Sequence, residues 1–170
     1  MKHVRFVARP RHQFAPLFIA ILCLLGPAEV CAKSEAVESY VAGNYVKGTP
    51  RAELRTRSEA IKLASRMAAT LPGAFVLHGK GNSMLPIYTS GTLLVVTPVP
   101  FTQLSRGMSV VFRKGNHTVA HVLVAKTKDG WRTTGLNNRR QDYLTVNETN
   151  ILGKIVAAFT PIEGQVVAMH

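Results

Sequence analysis

Hydrophobic and polar positions follow three textures along the chain. Ala15 to Gly26 ("APLFIAILCLLG") is almost wholly apolar. From Thr49 to Pro72, apolar residues recur every three or four positions among charged ones. Beyond Gly73, short runs of Val, Ile, Leu, Phe and Thr alternate with Gly, Pro and Asn. The middle texture predicts an amphipathic helix over 49–72, with Leu54, Ile61, Ala64, Met67, Ala68 and Leu71 on its apolar stripe. Thr49 is the expected cap, Pro50 suits the first turn, and Pro72-Gly73 ends the pattern. The other face carries Arg51, Arg55, Arg57, Lys62 and Arg66. It reads as an ordinary solvated face, with membrane-surface contact as the functional alternative.

The third texture predicts strands. "AFVLHG", "TLLVVTPV", "SVVFRK", "HTVAHVLVAKTK", "WRTTGL" and "ILGKIVAAF" are β-rich runs. "KGNH" and "KDGW" read as hairpin turns, because Asn and Gly tolerate positive φ. The expected fold class is mainly β: a coiled antiparallel sheet or partly open barrel with one N-terminal amphipathic helix.

The first texture predicts export. Lys2, Arg5, Arg9 and Arg11 precede the apolar run, and "VCA" (Val30–Ala32) offers small residues before a cut. The run is shorter than the ~20 residues of a spanning helix. Residues 1–32 therefore read as a signal peptide or short membrane anchor, 33–48 as a linker, 49–72 as the helix and 73–170 as the β domain. Cys23 and Cys31 both lie in the first segment. The rest has no cysteine and must rely on its core. The expected location is periplasmic or extracellular.

Charge changes the picture in one respect. The chain has 170 residues and a formal net charge of +12. It has no basic run, no zinc-type Cys/His spacing and no nucleic-acid motif, so no nucleic acid is expected as partner. An anionic membrane surface is the partner that the charge favours.

The candidate chemistry centres on "GNSMLP", Gly81 to Pro86. A serine hydroxyl is a weak nucleophile without a base at hydrogen-bond distance. Of six histidines, His78, His117 and His121 lie in the β domain away from its end. His117 and His121 share a face of one strand but stand roughly 13 Å apart, too far for one metal. No metal or cofactor is expected. Taken singly, Ser83 reads as a turn residue and His121 as a structural histidine. Lys126 is a rival base, but an odd step from His121 puts it on the opposite face of a regular strand.

"GNSMLP", "GTLLVV", "RGMSVVFRKGNHTVAHVL", "TTGLNNRRQD" and "ILGKIVA" follow one another in the order found in type I signal peptidases. The chain resembles that family over about residues 79–160, and is closer to its Ser–His eukaryotic and archaeal branch. The resemblance implies a signal peptidase-like fold and a Ser83–His121–Asp142 triad. Gly81, Asn82 and Ser83 would form the serine turn and oxyanion hole, and Gly135, Asn137 and Asn138 a supporting loop. The Ser83 N–H would be one oxyanion donor, with the second unassigned. It implies cleavage after small residues in an extended precursor segment, without a cofactor. Two positions depart from the family pattern: Leu136 and Met108 stand where it has aspartates. Arg139 and Arg140 either pair with Asp142 or lie exposed. The alternative is a non-catalytic peptide- or partner-binding module on the same fold. Self-cleaving repressors share the Gly-x-Ser-Met pattern, but use lysine and carry a DNA-binding part, for which no helix-turn-helix is found here.

Overall fold

The computed structural model describes residues 39–163. The export signal read at 1–32 and the start of the linker lie outside them. The elements run β1 (Tyr40–Val41), β2 (Asn44–Tyr45), β3 (Ala52–Thr56), α1 (Arg57–Thr70), β4 (Phe75–His78), β5 (Leu93–Thr97), β6 (Ser109–Lys114), β7 (His117–Thr127), β8 (Gly130–Thr134) and β9 (Ile151–Ile162). A 3-10 turn, Phe101–Gln103, lies between β5 and β6. The fold is mainly β, with one helix among the described residues.

β1 and β2 form a small hairpin. The other strands make one sheet in the order β4-β5-β9-β6-β7-β8, with β3 also on β9. All pairs are antiparallel except β3 with β9. β9 is the seam. β5 takes one of its edges, while β6 pairs its first half and β3 its second.

Burial follows from alternation along these strands. On β5, Leu93 and Val95 pack with Ala60 and Ala64 of α1 and with Phe159. Leu94 and Val96 point the other way, into a core with Met84, Tyr88, Val111, Val122 and Leu136. Both faces of β5 are thus covered, which is why "LLVV" is a continuous apolar run rather than an alternating one. A third cluster joins Phe112, Val110, Leu123, Trp131 and Val146 on the far side of β6 and β7.

The helix corrects the expectation for 49–72. Residues 52–56 are a strand, because their backbone bonds to β9 in register Ala52↔Ala158 through Thr56↔Ile162. Thr56, not Thr49, is the N-cap, and with Glu59 it completes a reciprocal capping box. Thr49 is buried instead, its hydroxyl donating to the Gly107 carbonyl at 2.7 Å. The later start moves the packed face to Ala60 and Ala64, whose small side chains let α1 approach the sheet closely. Leu54, Ile61 and Met67, expected on the buried stripe, are exposed. The linker reading of 33–48 is corrected as well from residue 40 onward, where β1 and β2 pair and Val46 enters the main core.

Candidate active site

Three segments meet at one cavity of about 380 Å³. The first is the turn after β4. Gly81 has φ +88°, with open space where a Cβ would stand, so conformation rather than room favours glycine there. The chain then folds tightly: Leu85 N–H donates to the Asn82 carbonyl, and Ile87 and Tyr88 N–H to that of Met84. Met84 and Tyr88 are buried and anchor the turn in the core. The Tyr88 hydroxyl donates to the Pro50 carbonyl at 2.7 Å, and burial pushes its ionisation well above the ordinary tyrosine range. Ser83 is left half-buried on the cavity wall. Among the described residues, the N–H groups of Ser83 and Met84 donate to no protein acceptor.

The second segment is β7, which brings His121 to the same cavity. His121 is buried and stands edge-on to Phe112, with ring centres 6.4 Å apart. The third is the segment after β8. Its glycine, Gly135, faces both partners: a Cβ there would lie 2.7 Å from the Ser83 carbonyl oxygen and 2.8 Å from His121 Nε2. The Nε2 side of the imidazole is thereby turned toward the serine loop. Asn137 N–H donates to the Ser83 carbonyl at 2.8 Å, and Asn138 N–H to that of Gly135 at 3.0 Å. Asn138 lines the cavity, while Asn82 and Asn137 are exposed.

Asp142 closes the arrangement. His121 Nδ1 donates to its Oδ2 at 2.5 Å, and Thr133 Oγ1 donates to the same oxygen at 2.8 Å. Asp142 N–H donates to the Thr133 carbonyl, which ties the loop to the end of β8. A donor fixed on Nδ1 leaves Nε2 as the acceptor nitrogen of a neutral imidazole. No hydrogen bond joins the Ser83 hydroxyl to Nε2 among the described residues. Burial works to raise the Asp142 carboxyl. Hydrogen bonds from His121 and Thr133, then the charges of His121 and Lys114, outweigh it and hold the group below its ordinary value.

That direction fixes a sign for stability. Because the folded carboxyl is the more acidic, the unfolded chain binds its proton first as pH falls. The contribution is whole above the unfolded carboxylate range, about pH 4, and disappears as pH drops through the folded value. Urea midpoints of the wild type and Asp142→Asn are expected to separate at neutral pH and converge below about pH 4. A gap that stays constant over that range would count against a charged Asp142.

Other expected groups fall elsewhere. Lys126 is exposed and does not line the cavity, although a register shift between Leu123 and Ala125 interrupts the alternation that separated it from His121. His117 is exposed at the start of β7. No group of His, Cys, Asp and Glu suited to a metal occurs among the described residues. Arg139 and Arg140 are exposed. The cation beside Asp142 is Lys114, at 3.5 Å from Oδ1, which sequence reading missed. Its signal was the two-residue "KGNH" turn, which folds the end of β6 back beside the start of β7. Leu136 is buried in the main core with Met84 and Val122, so the position that departs from aspartate is used for packing.

Comparison with the curated proteins finds no match. The family described as Peptidase S24-like matches residues 39–156, a span from just before β1 into β9 that includes Ser83, His121 and Asp142. With its serine turn, imidazole and carboxylate inside the matched span, the chain belongs to the Peptidase S24-like family.

Proposed function

We propose that the protein is an exported serine endopeptidase of the signal peptidase type. In this reading it cuts after small residues in extended precursor segments through Ser83, His121 and Asp142. The observation that carries it is the orientation of His121, with Nδ1 on Asp142 and Nε2 toward the serine loop in one cavity. Membership of a serine-peptidase family supports the same chemistry.

Ser83 Oγ attacks the scissile carbonyl, and His121 takes its proton and later gives it to the leaving amine. Asp142 holds the imidazole in the tautomer that keeps Nε2 free and stabilises the imidazolium. The unbonded N–H groups of Ser83 and Met84 are the local donors for the developing oxyanion. Substrate has a backbone to pair with. β8 joins β7 only from Val122 onward, so the His117–His121 stretch has β6 on one edge and no partner strand on the other among the described residues. Thr118, Val119 and Ala120 of that stretch line the cavity, as do Leu77 and His78 of β4. An extended segment added along this edge gains main-chain hydrogen bonds and leaves selection to the wall. The exposed Ile61 and Met67, among Arg57, Lys62 and Arg66, suit contact with an anionic membrane that presents such precursors.

The second reading, a module that grips peptides without cutting them, draws on the missing Ser83–His121 hydrogen bond. Reaction of the purified protein with a fluorophosphonate, followed by peptide mapping, separates the two. The proposed enzyme is expected to carry the adduct on Ser83 and to cleave a signal-bearing precursor after a small residue. Peptide binding with neither adduct nor cleavage would establish the module instead.

A further inference from the structure

Asp142 has a side chain only 7% exposed. A carboxylate withdrawn from water to that degree needs a compensating charge as well as hydrogen bonds. His121 cannot supply that charge while it serves as the base, because a base about to accept the serine proton is neutral. Thr133 offers a hydroxyl and no charge. Three elements face the carboxylate: β7 with His121, β8 with Thr133, and β6 with Lys114. Arg139 and Arg140, a few residues away in sequence, make no ion pair with it among the described residues.

Lys114 is the last residue of β6, paired across the turn with His117. Its Nζ stands 3.5 Å from Asp142 Oδ1 and 4.5 Å from the centre of the Tyr143 ring. The ammonium thus has the carboxylate and an aromatic face as neighbours. The two carboxylate oxygens divide their work: Oδ2 serves His121 and Thr133, and Oδ1 serves Lys114.

We propose that Lys114 is the counter-ion of the resting site, a positioning residue that keeps Asp142 ionised and its Oδ2 turned to His121 while the imidazole is neutral. This rests on the Ser–His–Asp reading above. Its consequence falls on the Asp142 carboxyl, which Lys114 helps to hold below its ordinary value. A cation beside Oδ1 opposes the arrival of a further proton. Without it, the Asp142 carboxyl takes up its proton at a higher pH, and His121 loses its ionised partner on Nδ1 earlier on acidification. Lys114 is partly exposed, so water screens the effect. The expected displacement is upward and smaller than a fully buried neighbour would cause.

The test uses the full chain as wild type, Lys114→Met and Lys114→Arg. The pH profile of kcat/KM is measured on a precursor peptide, and the aspartate carboxyls are titrated by carbon-13 NMR on the same proteins. In Lys114→Met the acid limb and the Asp142 carboxyl midpoint are both expected to move to higher pH. Lys114→Arg is expected to return both toward wild type. A limb and midpoint in Lys114→Met equal to those of wild type would overturn the proposal. If the wild type cleaves nothing, the peptidase reading fails, and the carboxyl titration alone still decides whether Lys114 holds Asp142 ionised.

Discussion

Ser83→Ala is expected to lower kcat/KM for precursor cleavage by at least about a thousandfold, leaving only what substrate binding and backbone donors provide. The fold should survive, because Ser83 holds its neighbours through main-chain atoms. Its carbonyl accepts from Asn137 N–H, and its hydroxyl bonds to no described group. Removing the hydroxyl therefore takes away a nucleophile and little else. His121→Ala is expected to fall to a similar floor, and the double variant no lower, since nucleophile and base act as one unit. Cleavage kinetics with urea midpoints on the three variants check this. Undiminished turnover in Ser83→Ala, or losses that multiply in the double variant, would remove Ser83 and His121 from the reaction.

Gly135→Ala is expected to damage the site and the fold together. A Cβ at this position would meet Asn138 Nδ2 and the Ser83 carbonyl oxygen at 2.7 Å and His121 Nε2 at 2.8 Å. Real carbon atoms do not sit that close, so the neighbours must move. The amide of Asn138 can turn away. The Ser83 carbonyl cannot move without breaking its bond from Asn137 N–H, nor the imidazole without straining its bond to Asp142. Overpacking of this kind costs about 1–3 kcal/mol. A displacement near 1 Å between reacting groups costs about a hundredfold in rate. A lower urea midpoint together with a comparable loss of kcat is the expected result. Wild-type kcat in Gly135→Ala would mean that this glycine does not set the serine–imidazole spacing.

The strands of the β domain were legible because their patterns are local. "AFVLH", "LLVVT" and "SVVFRK" are β-branched or apolar runs bounded by Gly and Pro, and they became β4, β5 and β6. β3 was not legible. "AELRT" is polar, with four of its five residues exposed, and it becomes a strand only through its parallel pairing with β9, about a hundred residues on. No window of sequence around Ala52 contains that partner. The helix start was present in the sequence all the same. Thr56 and Glu59 have the three-residue spacing of a capping box, whereas Thr49 and Glu53 do not. At the site, the His121–Asp142 contact was an expectation from the resemblance to type I signal peptidases, and the two side chains do meet. Lys114 was not expected, because its role depends on how the turn after β6 brings two strand ends beside the segment after β8.

The position of β9 bears on how the chain acquires its structure. β4 pairs with β5, and β6, β7 and β8 pair in succession, but among the described strands only β9 joins these two groups and holds β3. Its residues, 151–162, come last among the described strands. During synthesis the earlier pieces therefore exist as hairpins without a common neighbour, and the decisive contacts have large sequence separation, which slows closure. A nascent polypeptide cannot close this sheet until residues 151–162 have emerged, so its strand edges stay unpaired for most of its time on the ribosome.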